Sequence, residues 1–356
     1  ERNMKIYMIG GTDSHVKCGV KDYTLELQRY LEQENVDIVQ INDKSDTATI
    51  SDWQSIFAYH KLAVELKKIN ARILHVEYPA KAYGKSIGVN FLPMFARLRG
   101  IKVVFTTHEY SNRSFLGRMR QIPSFLFANE IIVVDPQFEV DIKKIPLCKK
   151  KVRTIRIGSN IVPSVAPNDK IIELHNSLVK DNMKLMSYFG FINEYKCFLE
   201  LVEAIKHLKD AGKLKSKLVV IGELKESDEY HKKVLEKIRE YNLDNDIIVT
   251  GYLKDSVGDY LKASDFAVLP FYYGISVRNG SFLAAYQEGI DIITTKGDKN
   301  FPYDDVYLMN DNTPQTIASA IEYMQDNSLK SEHRKIDFYW DDISKQHVEL
   351  YEKIYG

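Results

Sequence analysis

The sequence predicts an α/β protein built as two doubly wound, Rossmann-like domains. Three observations carry this. Short apolar runs of strand length alternate with amphipathic helical patterns along nearly the whole chain, as in parallel sheets covered by helices. The alternation pauses once, over 158–182, in a polar stretch with Pro163 and Pro167, and then restarts. A length of 356 residues exceeds one ordinary core and suits two. The expected domains are 4–165 with 338–356, and 166–337. The last helical pattern follows the end of the second sheet and is expected to cross back to the first domain.

In the first half, Lys5 to Ile9 is a strand that runs into Gly10 and Gly11, and Val20 to Glu32 is a helix with Tyr23, Leu27, Tyr30 and Leu31 on one side. The loop between them carries Gly19 but not GxGxxG, so it is not a dinucleotide fingerprint. A tight β–α turn and a phosphate or sugar contact both fit it. Strands follow at Val36–Ile41, Ile73–Glu77, Lys102–Thr107, Ile131–Val134 and Val152–Ile157, with helices at Trp53–Asn70 and Val89–Arg99. The fourth strand delivers His108 and Glu109 to its C-terminal end, where sheet ligands sit. In the second half, strands fall at Leu185–Phe189, Lys217–Ile221 and Ile247–Thr250, and helices at Phe198–Asp210, Tyr230–Tyr241 and Val257–Ser264. Two further helices span Thr313–Asp326 and His333–Tyr355.

The stretch from Asp265 to Asp298 organises the second half. It reads as a buried strand from Phe266 to Pro270, a loop to Asn279, a short helix from Ser281 to Glu288 stopped by Gly289, and a second strand from Ile290 to Thr295. Arg278, Asn279, Gly280 and Ser281 bring a guanidinium, an unhindered backbone and a hydroxyl to a helix N-terminus. Free N–H groups there carry partial positive charge and suit a phosphate.

Composition excludes several classes. Lys+Arg and Asp+Glu are both 49, which disfavours a nucleic-acid partner. Cys18, Cys148 and Cys197 stand far apart without CxxC spacing, which argues for a reducing, cytoplasmic compartment and against a disulfide framework or zinc site. No apolar span is long enough for a membrane helix and no signal peptide is seen; the residues ahead of Met4 read as an appended remnant. No Asp-x-Asp stands at a strand end; Asp304-Asp305 and Asp341-Asp342 suit solvent or capping, so no essential metal or other cofactor is expected. One basic run covers 143–156. A second, with Arg97, Arg99, Lys102, Arg113, Arg118 and Arg120, interleaves with Phe91, Leu92, Phe95, Phe115, Leu116 and Phe125. Core packing and a peripheral contact with the inner membrane face both fit that pattern.

The ordered set of segments in the second half resembles the GT-B glycosyltransferases, in particular glycosyltransferase family 4. GFINEYKCFLELVEAI is similar to the family's Gly-Arg, Lys-Gly and helix segment. LVVIGE, VTGYL and YLKASDFAVLPF follow in the family's order, and GISVRNGSFLAAYQEGIDIITT stands where the family shows Glu-x7-Glu. In the first half, the Gly10–Gly11…Gly19 loop and the Thr106-Thr107-His108-Glu109 strand end match the family's glycine loop and Thr-x-His-Asp-like strand. The resemblance covers nearly the whole chain. It implies a GT-B fold, with two domains facing a cleft, and a retaining hexosyltransferase. That enzyme would move a sugar from a UDP- or GDP-sugar to a glycan or lipid-linked acceptor of envelope or exopolysaccharide biosynthesis.

By the same resemblance, Lys196 contacts the donor diphosphate. Gly10, Gly11 and Gly19 approach the donor phosphates, His108 lies near the transferred sugar, and Gly251 and Tyr252 border the nucleobase. The chain departs from the family at three places. Phe191 replaces the arginine, and Ser276 and Ala284 replace both glutamates. Arg278 is expected to resupply the missing cation, with Glu288 a weaker substitute for the ribose ligand. Two rivals follow from the same residues. One is a nucleotide-sugar epimerase on this fold, whose carboxylates and histidines find no match here. The other is a binding-only subunit that has lost turnover with its glutamates.

Overall fold

The structure is a computed structural model that describes residues 4–12, 18–44, 47–180, 182–298, 301–329, 334 and 336–356. The chain divides into two units, Glu1–Asn160 with Asp337–Gly356, and Ile161–Ile336.

The first unit runs β1 (Met4–Ile9), α1 (Gly19–Gln33), β2 (Val36–Gln40), α2 (Ile56–Lys68), β3 (Ile73–Tyr78), α3 (Gly88–Arg97), β4 (Lys102–Thr107), α4 (Phe115–Met119), α5 (Ile122–Phe127), β5 (Glu130–Val133), α6 (Pro136–Ile142) and β6 (Val152–Thr154). Its six parallel strands lie in the order β2-β1-β3-β4-β5-β6. All six residues of β3 are buried, as expected of a strand covered on both faces. α1 buries Tyr23, Thr24, Leu27 and Leu31, one face of the 3.6-residue period.

The second unit runs α7 (Asn168–Leu178), β7 (Lys184–Phe189), α8 (Phe198–Asp210), β8 (Ser216–Ile221), α9 (Glu229–Glu240), β9 (Ile247–Val249), α10 (Val257–Lys262), β10 (Phe266–Leu269), α11 (Gly280–Gln287), β11 (Asp291–Thr295), β12 (Tyr307–Met309) and α12 (Pro314–Asp326). Its strands, again all parallel, lie in the order β12-β11-β10-β7-β8-β9. α8 buries Phe198, Leu201, Val202, Ala204, Ile205 and Leu208. The larger apolar side chains among them contribute roughly 1.5–3 kcal/mol each. The chain then returns to the first unit as α13 (Trp340–Tyr355), where Trp340 stacks on Tyr30 of α1 at 5.6 Å.

Several elements differ from expectation. The stretch 158–182 is not all loop, because α7 forms within it; only Ile171 of that helix is buried, so its apolar period is weak. The final helix starts at Trp340, while His333 lies outside the described residues. β12 adds a sixth strand, and the short helices α4, α5 and α6 fill what read as loop. Of the apolar residues interleaved with the second basic run, Leu92 and Phe125 are core, whereas Phe115 and Leu116 are 67% and 76% exposed. Several of that run's cations are committed to protein. Arg113 pairs with Glu109, and Arg120 donates to the carbonyls of Lys85 and Ser86.

Candidate functional site

In the second sheet the strand order reverses between β7 and β10, so the chain leaves these two neighbours toward opposite sides. The loops after such strands part and leave a crevice at their carboxyl ends. Those loops are Gly190–Cys197, which carries Lys196, and Pro270–Asn279, which ends in Arg278 and Asn279 just ahead of Gly280 and Ser281 at the start of α11.

The two loops touch at both ends. At one end, Gly190 has a φ of +133°, a backbone that favours glycine, and lies within ordinary contact of Ser281 at the start of α11. At the other end, the Tyr272 N–H donates to the Tyr195 carbonyl at 3.0 Å. Asn312 Nδ2 ties them together, donating to Cys197 Sγ at 3.0 Å and to the Phe271 carbonyl at 3.2 Å. Burial pushes the Cys197 thiol up to about 12, so it stays neutral.

Lys196 sits half-buried with its Nζ 4.4 Å from the centre of the Phe271 ring, and burial lowers its pKa from the ordinary lysine value. The second loop is pinned from behind. Gly274 and Gly297 cross so closely that a side chain on Gly274 would lie 2.2 Å from the Lys296 carbonyl oxygen. The Ile275 N–H donates to Thr295, and the Asp298 N–H to Ile275. Asn279 turns back, its Oδ1 accepting from the Ser276 N–H at 2.6 Å, and makes no side-chain cap on α11. The first N–H groups of α11 therefore have no capping side chain from Asn279, the condition under which a helix start holds an anion. Arg278 is half-buried on this turn, Gly280 is exposed with open space around it, and Ser281 is buried.

Gly251 and Tyr252 follow the edge strand β9, second from β7 in the sheet, with Tyr252 74% exposed. Glu288 Oε1 accepts from the Ser164 N–H at 3.0 Å, so it fastens the start of the second unit. Ala284 is fully buried within α11. Tyr195, Tyr272 and Tyr273, which no periodic signal marks, form an exposed cluster on the two loops, with Tyr195 and Tyr273 stacked at 5.7 Å.

In the first sheet the order reverses between β1 and β3. Gly10 and Gly11 follow β1 at this point. A side chain on Gly10 would strike Thr24 of α1, and one on Gly11 would strike Ala80. Gly19 opens α1 with nothing nearby, and 13–17 lie outside the described residues. His108 follows β4 and is buried, its N–H donating to the Tyr78 carbonyl. The carboxylate beside it is not Glu109, which pairs with Arg113, but Glu77 of β3: His108 Nε2 donates to Glu77 Oε2 at 2.7 Å. Two polar residues two apart in a fully buried strand, His75 and Glu77, were the available signal.

Among the described residues no three His, Cys, Asp or Glu side chains gather as a metal-ligand set. Among them, too, no helix is long and apolar enough to cross a membrane.

Residues 184–327 match the family of glycosyl transferases group 1, a span that holds both loops of the crevice. No curated protein matches the sequence. The chain is similar in structure to a glycosyltransferase from Rickettsia africae, at 19% identity over 99% of each chain and a TM-score of 0.74. It is also similar to Anabaena HepE in complex with UDP and glucose, at 14% identity over 98% of this chain and 100% of that one, with a TM-score of 0.67. A third likeness is to sucrose-phosphate synthase from Thermosynechococcus elongatus, at 16% identity over 99% of each chain and a TM-score of 0.68. The chain thus has the GT-B glycosyltransferase fold, and its second unit carries the glycosyl transferases group 1 match.

Proposed function

We propose that the protein is a retaining glycosyltransferase, of the family 4 type, that moves a sugar from a UDP- or GDP-sugar to a glycan or lipid-linked acceptor. The observation that carries this is the reversal between β7 and β10, flanked by two mutually braced loops with Lys196 on one and Arg278 and the start of α11 on the other. The group 1 match over these residues and the UDP in the HepE structure support the same ligand class.

In this reading the nucleoside diphosphate departs while an acceptor hydroxyl attacks. Lys196, Arg278 and the N–H groups at Gly280 and Ser281 neutralise the leaving charge, and the leaving phosphate takes the acceptor proton. The reading assigns that charge to protein groups and to no metal. Gly10, Gly11 and Gly19 are assigned to the donor phosphates, His108 to the transferred sugar, and Gly251 and Tyr252 to the base. Exposed Phe115 and Leu116 beside Arg118 support a peripheral contact with an anionic membrane face.

A second reading, a binding-only subunit, draws on Ala284: a buried methyl cannot hold a ribose. Incubation with UDP- and GDP-sugars, with and without glycan acceptors, separates the two. Release of free nucleoside diphosphate supports the transferase. Binding without release under every acceptor supports the subunit.

A further inference from the structure

Behind His108 the first unit contains a buried polar chain to which the proposed reaction assigns no role. Glu77 is fully buried at the C-terminal end of β3. Its Oε2 accepts from His108 Nε2 at 2.7 Å, and its Oε1 lies 3.2 Å from His75 Nε2 without a hydrogen bond. His75 is engaged on both ring nitrogens, with Thr106 Oγ1 at 2.7 Å and the Tyr351 hydroxyl of α13 at 2.5 Å. A neutral imidazole has one N–H, so one of these contacts donates and the other accepts. The rings of His75 and His347 stack at 5.8 Å, and that of Tyr23 meets His108 edge-on at 4.8 Å.

A carboxylate in such a place costs stability, and an apolar residue would pack this strand more cheaply. Glu77 takes one side-chain hydrogen bond, and it comes from the residue that follows the neighbouring strand. From this geometry we infer that Glu77 is a positioning residue for His108, fixing its ring and holding the proton on Nε2. The neutral ring is then the tautomer in which Nδ1 is an acceptor. Behind the carboxylate, Thr106 and Tyr351 fix the ring of His75. Burial pushes the Glu77 carboxyl up, opposed by the His108 bond, and drives His75 well below its ordinary value. One buried carboxylate therefore serves one partner ring.

The role of His108 in transfer rests on the function proposed above; its positioning by Glu77 does not. The test uses ¹⁵N-histidine NMR on the full-length protein without ligand, with the His108 signals assigned by their loss in His108→Asn. Wild type is expected to show the Nε2–H form. Glu77→Leu is expected to move the ring to a tautomer mixture at retained melting cooperativity. Should Glu77→Leu fail to fold, Glu77→Gln keeps the shape and is expected to shift the Nε2 signal by loss of the charged acceptor. In a transfer assay Glu77→Gln is expected to lower kcat roughly tenfold to a hundredfold with the donor KM nearly constant. Unchanged His108 signals in both variants, or shifted signals with unchanged kcat, overturn the inference. A wild type without turnover overturns the transferase reading instead, and the NMR result still decides the positioning.

Discussion

Lys196 Nζ rests 4.4 Å from the centre of the Phe271 ring, joining the loop after β7 to the loop after β10 through a cation and an aromatic face. The ring is a poor substitute for water, and burial lowers the lysine's pKa. A diphosphate arriving here meets an ammonium already stripped of part of its hydration, which makes each charged contact count for more. The protonated lysine binds the anion, and raising the pH through its lowered pKa removes that charge. Diphosphate affinity is therefore expected to fall at a more acidic pH than an ordinary lysine would impose. Titration calorimetry across pH 7 to 10, with Lys196→Arg as the always-charged control, checks it.

Gly274 and Gly280 make a second test, because their surroundings differ. A Cβ on Gly274 meets the Lys296 carbonyl oxygen at 2.2 Å with a φ of +75°, while one on Gly280 meets nothing within 4 Å. Gly274→Ala is expected to cost about 1–3 kcal/mol through strain. Gly280→Ala is expected to fold as well as wild type or slightly better, by about 0.4–1 kcal/mol. If the phosphates sit on the start of α11, that same harmless methyl should still weaken nucleotide binding. Paired thermal melts and binding isotherms separate the two effects.

Much of this frame was legible in the residues. Alternating strand and helix patterns located the two sheets, and Arg278-Asn279-Gly280-Ser281 marked a helix start because glycine and serine punctuate the end of a loop. What the sequence withheld was pairing. The reversal between β7 and β10 depends on which strands become neighbours, and no local pattern states that. The His108–Glu77 bond joins residues 31 apart through the register of β3 and β4, which no local pattern states either. α7 was missed because its sequence buries one residue and follows two prolines.

Acid stability follows from the buried histidines. Burial lowers His347 from 6.5 to about 4, with its Nδ1 on the Ile343 carbonyl and its Nε2 without a partner. The folded state excludes a proton that the unfolded chain accepts below pH 6.5. Stability is thus full above that pH and is lost as the pH falls toward 4, by an amount on the order of 3 kcal/mol. His75 is lowered for the same first reason and acts in the same direction. Melting temperatures at pH 7 and pH 5 should differ, and His347→Leu should shrink the difference.

Phe115 and Leu116 project from α4 at 67% and 76% exposure, with Arg118 on the same short helix. Sedimentation with anionic phospholipid vesicles is expected to bring the protein down at low salt. Phe115→Ser with Leu116→Ser should release it, since each inserted side chain contributes roughly 1.5–3 kcal/mol. Equal sedimentation of the double variant argues that these residues face solvent only.

Calorimetric titration of UDP and GDP into wild type, Lys196→Ala and Arg278→Ala probes the diphosphate grip itself. At least one nucleotide should bind wild type, and each substitution should weaken it roughly tenfold to a hundredfold, the worth of one charge-assisted contact. Neither nucleotide binding, or unchanged affinity in both variants, would contradict a diphosphate seated between the β7 and β10 loops.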